Sequence, residues 1–359
     1  MSAAARLAGV PWRRLALALA IGVAGGAVFQ WFRIPLGWML GAMFLSTAAA
    51  LAGARFAMPR PLNASMIVVL GVLLGGGFAP DFFERVQRWT TTVLGLLPYM
   101  LVVIVACYLY LKRLIGYDSR TALFSAYPGG FVEMVTIGRE MGADVRTIAL
   151  IHSARVLITV FSLPIWFRVV EGVVAPPDLS FGAGRTAPTL EDLGVLALCA
   201  AIGVVAARAV RLPGGVLLGP LFLSAAAHMA GLTEARPPGW LVAVAQVIVG
   251  TGIGALFLGI PRRQVLSTFA VGVGMVAIML SATFLCGFGL ALLTGLPGPT
   301  IALAYAPGGL SEMGLIALVL GIDVAFVATH HVVRMLLIVV TAPVAARMMT
   351  RRHGPPPPP

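Results

Sequence analysis

Along this chain apolar residues do not alternate with polar ones; they come in runs. Runs of the roughly 17–25 residues that a helix needs to cross a bilayer recur near 14–31, 35–53, 62–79, 90–111, 121–138 and 146–169. They recur again near 193–210, 214–231, 239–260, 265–293, 299–320 and 324–346. Polar residues are confined to the connections and to a few positions inside the runs. The pattern predicts an all-α, polytopic helical membrane protein made of two similar sets of segments, with no room for a soluble domain of useful size. Composition agrees: 59% of the 359 residues are hydrophobic and 11% charged, and the mean hydropathy is +0.98.

The two sets are copies of one design. Arg33, Pro35, Gly37, Gly41 and Ser46 match Arg211, Pro213, Gly215, Gly219 and Ser224 at an offset of 178. Gly71 and Gly75 match Gly250 and Gly254 at 179, and residues 125–164 match 304–343 at that same offset with fifteen identities in forty positions. Chance similarity between apolar runs does not keep four ionisable residues in register. The organisation read from this is a first membrane repeat at 1–170, a polar Pro/Gly-containing linker at 171–192, a second repeat at 193–349, and a basic, proline-rich tail at 350–359. The first run follows a basic flank and resembles a secretory leader. Its counterpart deep in the chain argues for a transmembrane helix instead.

The fifth run of each repeat is interrupted by Pro-Gly-Gly, at Pro128, Gly129 and Gly130 and at Pro307, Gly308 and Gly309. Proline removes a backbone donor and glycine accepts unusual dihedrals, so a helix should break there and restart. If the broken runs cross the membrane, the repeats are parallel; if they dip in and return, five crossings remain per repeat and the repeats are inverted. The chain carries 25 Lys+Arg residues, only Lys112 being lysine. They are scattered between runs rather than gathered on a nucleic-acid-binding element. Outside the membrane interior they divide 14 to 9 between the two faces if every run crosses, and 17 to 6 if the broken runs return. The positive-inside rule thus favours inverted repeats with re-entrant segments.

Each break is followed by the same polar series. Glu133 and Glu312 fall in the first turn of the restarted helix, where the dipole favours a carboxylate; they either cap it or exchange a proton or cation there. Gly142 with Asp144, and Gly321 with Asp323, read as a helix C-cap followed by an N-cap, with ion binding by the aspartates as the lesser alternative. His152 and Arg155, like His331 and Arg334, share a face of the next helix near mid-membrane. Buried arginines need partners, and the glutamates are the obvious candidates. A proton-sensitive ion-binding site and a purely structural salt bridge both fit. His330, His228 and His353 have no counterparts and receive no role. Cys107, Cys199 and Cys286 lie in apolar runs without metal-binding or disulfide spacing.

The duplicated PGG-x-x-EM segment followed by G-x-D and H-x-x-R is similar to that of the bacterial AbrB-type membrane protein family, and the likeness covers nearly the whole chain. Members carry two inherited labels, regulator of gene expression and ammonia monooxygenase. Neither follows from the residues, since the chain has no DNA-reading module, nucleotide fingerprint or clustered metal ligands. A non-enzymatic secondary transporter in a bacterial cytoplasmic membrane is expected, moving a small anionic or zwitterionic solute coupled to protons or a cation. Its site would comprise the two breaks with Glu133, His152, Arg155, Glu312, His331 and Arg334. The alternative is a membrane sensor that regulates gene expression through the same pocket, and an oxygenase ranks third. No cofactor or resident metal is expected; the partners are the bilayer, a small ligand or ion and a second copy of the chain, not nucleic acid.

Overall fold

The computed structural model describes residues 11–170, 172 and 188–353. Most of the linker expected at 171–192 and residues 354–359 of the tail lie outside the described residues, as do Arg6 and Arg185. All regular structure among the described residues is helical. In chain order the helices are α1 (Trp12–Trp31), α2 (Gly37–Leu51), α3 (Arg60–Gly75), α4 (Phe82–Gln87), α5 (Thr90–Leu109, closing in a π turn), α6 (Ser119–Ala126), α7 (Phe131–Glu140) and α8 (Val145–Val169). They continue as α9 (Leu190–Ala209), α10 (Gly215–Met229), α11 (Gly239–Gly254), α12 (Arg262–Thr294), α13 (Gly298–Tyr305), α14 (Leu310–Val319) and α15 (Val324–His353). Seven are long and apolar enough to cross a membrane. α1, for instance, has 20 residues with exposed tryptophans at both ends, about 30 Å apart by helical rise, which suits the two interfaces of a bilayer.

The chain forms two compact units, and each takes helices from both repeats. The first comprises residues 1–87, 164–260 and 314–325, and the second the remainder. The break between α1 and α2 is held by left-handed Arg33 (φ 51°) and Leu36 (φ 57°), and that between α9 and α10 by Arg211 (φ 52°) and Gly214 (φ 63°). Non-glycine residues rarely adopt such angles, so the tight turn is retained against a local cost.

Glycine contacts hold the first unit together. A Cβ on Gly41 would lie 2.0 Å from the Gly25 carbonyl oxygen, and one on Gly219 would lie 2.1 Å from that of Gly203. α2 and α1, and α10 and α9, therefore cross backbone against backbone, the usual way helices approach where lipid gives no hydrophobic drive to association. A Cβ on Gly71 of α3 would lie 2.5 Å from the Leu217 carbonyl oxygen of α10, and one on Gly250 of α11 would lie as close to that of Met39 in α2. Gly75 likewise meets Ser224, and Gly254 meets Ser46. These glycines pack helices, and the third helix of each repeat packs on the second helix of the other. His228 is buried here: its two ring nitrogens lie 2.7 Å and 2.9 Å from the carbonyl oxygens of Ser224 and Ala235, closing the turn after α10.

In the second unit α5, α12 and α13 share a polar seam. The Tyr99 hydroxyl donates to the Tyr305 carbonyl oxygen and lies 2.9 Å from the Thr283 hydroxyl. Tyr305 in turn donates to the Thr92 carbonyl oxygen. His330 of α15 completes the seam, with Nε2 2.9 Å from Thr92 Oγ1 and Nδ1 2.8 Å from the Phe326 carbonyl oxygen. At the far end α15 runs to His353, beyond the boundary expected at 349.

Candidate functional site

The fifth run of the first repeat is a hairpin. Asp118 caps α6, accepting from the N–H groups of Arg120 and Thr121. α6 ends at Tyr127, Pro128 follows, and Gly130 takes φ 65° before α7 restarts at Phe131. α7 then runs back along α6. A Cβ on Gly138 would sit 3.6 Å from the Phe124 ring, and the Asp144 N–H donates to the Thr121 hydroxyl at 2.9 Å. A straight helix broken at Tyr127 would place residues 138 and 144 far from 124 and 121.

Gly142 (φ 71°) ends α7 and Asp144 caps α8, accepting from the N–H groups of Arg146 and Thr147 and from the Thr147 hydroxyl. Partial burial raises the Asp144 carboxyl, but these hydrogen bonds outweigh it and hold the group below the ordinary aspartate value. From that cap α8 descends beside α6: His152 Nε2 reaches the Phe124 carbonyl oxygen at 2.9 Å, and Arg155 Nη1 donates to that of Tyr127 at 2.7 Å. The eleven residues from Asp144 to Arg155 span about 16 Å of helix. That is about half of a hydrocarbon core roughly 30 Å thick.

The second copy repeats the grip. α13 ends at Tyr305, and Arg334 of α15 donates from Nη1 to the Ala306 carbonyl oxygen and from Nη2 to that of Gly308 at 2.8 Å. Gly321 (φ 67°) ends α14, and Asp323 accepts from the Ala325 N–H at 2.9 Å, capping α15. The Asp323 carboxylate also pairs with Arg85 of α4, which the sequence had not marked, at 2.8 Å. His331 differs from His152: its Nδ1 bonds to Val327 of its own helix.

The copies meet at the first break. A Cβ on Gly129 or Gly130 would touch Ile338 of α15 at 2.9 Å and 2.6 Å, and Gly129 lies beside Arg334, with Nε 3.8 Å from that position. Arg155 and Arg334 are 2% and 4% exposed. Ser125 Oγ, His152 Nδ1, Arg155 Nε, Thr159 Oγ1 and His331 Nε2 are buried without a hydrogen-bond partner, as are Gln30 Oε1, Asn63 Oδ1 and Gln246 Nε2 in the first unit. Buried polar atoms are ordinarily satisfied.

The expected pairing of arginines with glutamates does not occur: among the described residues neither arginine lies within 4.0 Å of a carboxylate oxygen. Each charge is met by a helix end instead. The guanidinium groups take the carbonyl-rich C-terminal ends of α6 and α13, where the helix dipole is negative. The glutamates stay at the N-terminal ends of α7 and α14, where it is positive. Glu312 is 6% exposed, and its carboxyl folds back over Gly309. Glu133 turns toward Gly130 in the same way but is half-buried. Among the described residues no three His, Cys, Asp or Glu side chains gather as a metal site would require. Sequence reading missed the Thr92–Tyr99–Thr283–Tyr305–His330 seam; hydroxyl side chains recurring in apolar runs were its only signal.

Fold and site define a polytopic, all-helical membrane protein with a buried cationic centre at broken helices. Residues 38–350 match the family model described as "Transition state regulatory protein AbrB", and the chain belongs to the AbrB family. It is 28% identical over 348 residues to "Uncharacterized protein YhjN" of Bacillus subtilis (strain 168), covering 88% of each chain. It is 24% identical over 325 residues to "Putative regulator AbrB" of Escherichia coli (strain K12), covering 89% of this chain and 90% of that one.

Proposed function

We propose that this AbrB-family membrane protein is a secondary transporter, not an enzyme, and moves a small anionic or zwitterionic solute coupled to protons or a cation. One observation carries the reading: two arginines are buried, gripping the carbonyls of helix breaks, with no carboxylate to neutralise them. The helix ends offset only part of that charge, about half an elementary charge each. A bilayer-depth cation is costly, and the usual reason for retaining one is a functional anion or ion pathway. Broken helices near mid-membrane are also the usual framework of transporter sites. Glu133, Glu312, His152 and His331 are the groups that would exchange protons with the site.

The hairpin geometry of α6 and α7 favours inverted repeats: α1, α5 and α8 are long enough to cross, and with the shorter apolar α2 and α3 also crossing, five passes precede the linker. Cysteine accessibility tests this. Residues 139–146 label from the same face as 113–120 if the segment returns, and labelling from opposite faces makes the repeats parallel.

Transport itself is tested in proteoliposomes with a panel of small organic anions and zwitterions, with and without a pH gradient. Flux should depend on the gradient and vanish in Arg155→Ala and Arg334→Ala. Unchanged flux in both variants sinks the reading. The printed name of the Escherichia coli relative favours a second reading, a membrane sensor that binds the ligand and acts on gene expression through a partner. It predicts saturable binding without flux. The membrane in question is the bacterial cytoplasmic membrane, in keeping with the bacterial relatives.

A further inference from the structure

Three histidines are buried in the second unit, and their ring nitrogens are met differently. His152 bonds the Phe124 carbonyl oxygen through Nε2 and His331 that of Val327 through Nδ1, and in each ring the other nitrogen is buried without a partner. A second ring proton on either would point at nothing that accepts it. In His330 both nitrogens are met. Nδ1 lies 2.8 Å from the Phe326 carbonyl oxygen, which can only accept, so Nδ1 carries a proton in either charge state. Nε2 lies 2.9 Å from Thr92 Oγ1, and a hydroxyl can give a hydrogen bond or take one. Beside the neutral ring it donates to Nε2. Beside the imidazolium it accepts from Nε2 and turns its own proton to the Trp89 carbonyl oxygen, 2.8 Å away. That carbonyl also takes the Val93 N–H at 2.8 Å, so it stays bonded whichever way the hydroxyl turns. Gain or loss of a proton at His330 therefore needs only a hydroxyl rotation and leaves no polar atom of the group unpaired.

The neighbours of His330 connect it to the second break. From α5 it faces Thr92, from α13 the Tyr305 ring at 6.1 Å, and on α15 the Phe326 ring at 4.1 Å, with His331 beside it. The Tyr99 hydroxyl is engaged by Tyr305 and Thr283, and among the described residues His330 has no carboxylate partner. Aromatic faces attract a cation. Arg334 opposes one: it stands one turn further along the same face of α15 and grips Ala306, the residue after Tyr305. Neighbouring cations disfavour each other, and an anion at Arg334 removes the conflict. Anion binding and protonation then strengthen each other, equally in both directions by linkage.

We infer that His330 carries the coupled proton, taking it from water when an anion occupies Arg334 and returning it when the anion leaves. The inference rests on the transport reading above and names its proton site, which makes the transport a symport of anion and proton.

Two measurements test it. The first is nitrogen magnetic resonance of the full chain, isotope-labelled at histidine, in lipid nanodiscs, with His330→Gln identifying the His330 signals. As the pH is lowered from mildly alkaline to acid, His330 should pass from the Nδ1–H tautomer to the doubly protonated ring before His152 or His331 takes up a proton. Thr92→Val removes the second acceptor at nearly constant volume and should keep His330 neutral where the unmodified chain protonates, and Thr92→Ser should restore the proton. Protonation of His152 or His331 first overturns the assignment, as does a Thr92→Val chain in which His330 titrates unchanged. The order of protonation in the unmodified chain decides even if Thr92→Val does not fold. The second measurement is flux in proteoliposomes with the panel of small organic anions and zwitterions. His330→Gln should make the fluxes with and without a pH gradient equal. If solute moves and His330→Gln still responds to the gradient, the proton site is wrong and the transport reading stands. If no member of the panel moves through the unmodified chain, the transport reading fails and takes this inference with it.

Discussion

The two copies of the broken segment use the same residues and are held with different tightness. In the first, α7 is amphipathic and largely exposed, with Val132 64% exposed and Arg139 and Glu140 at its end. In the second, α14 is almost wholly apolar: Leu318 and Val319 stand in those last two places, and Gly314 replaces Val135. That glycine lets the Leu74 side chain come within 2.6 Å of where a Cβ would be, so the helix lies against α3 and is buried. Arg155 holds one carbonyl oxygen and leaves Nε without a partner; Arg334 holds two. Asp144 is an exposed cap, whereas Asp323 is also paired with Arg85. The same motif thus sits in two settings, one buried and more fully bonded, the other more exposed.

Removing the arginines tests that difference most strongly. Arg334→Ala leaves two buried carbonyls without donors and Arg155→Ala one, at about 1.5–3 kcal/mol for each charge-assisted hydrogen bond. Arg334→Ala should therefore lower the melting temperature by clearly more, and equal losses would end the claim that the second copy is the more fully bonded. Lysine substitutions sharpen the point. A single ammonium can serve the Tyr127 carbonyl but not hold two oxygens in Arg334's fixed fork, so Arg155→Lys should retain more stability than Arg334→Lys in the same melt.

The glutamates come next. Glu312→Gln should change the pH-gradient dependence of flux more than Glu133→Gln, because Glu312 is buried beside the break and Glu133 is half in solvent. A larger effect from Glu133 would place the proton-exchanging role in the more exposed copy.

The caps should give the smallest effects. Asp144→Ala should cost about 1 kcal/mol as a lost N-cap. Because the folded protein holds that carboxyl below its ordinary value, its contribution is full at neutral pH. The contribution fades as pH falls through the folded value, so the penalty should shrink in acid. Arg85→Ala should cost about 0.2–1 kcal/mol, since the pair with Asp323 is about a third exposed and screened by solvent. Its penalty should diminish in high salt, and a salt-independent penalty would point to lost packing of the arginine stem instead.

Much of this protein was legible in its sequence. Long apolar runs allow only helices in a bilayer, Pro-Gly-Gly has to break one, and glycine before aspartate has to end one helix and cap the next, all for local reasons. The partners of the charged residues were not legible. Sequence pairs opposite charges, and so set Arg155 and Arg334 against Glu133 and Glu312. The tertiary structure instead sends the arginines to carbonyl ends of half-helices and keeps the glutamates over N–H ends, because a break exposes backbone charge nearer than any carboxylate. His228 and His330 show the same limit, since each is fixed by carbonyl and hydroxyl oxygens contributed by folding. Sequence by itself determined where the helices lie, where they break and which polar residues enter the membrane. Tertiary structure alone decided that α7 folds back along α6, that the two broken segments are unequally held and that each arginine is buried on break carbonyls, because these depend on which helix ends and side chains are brought within hydrogen-bonding distance.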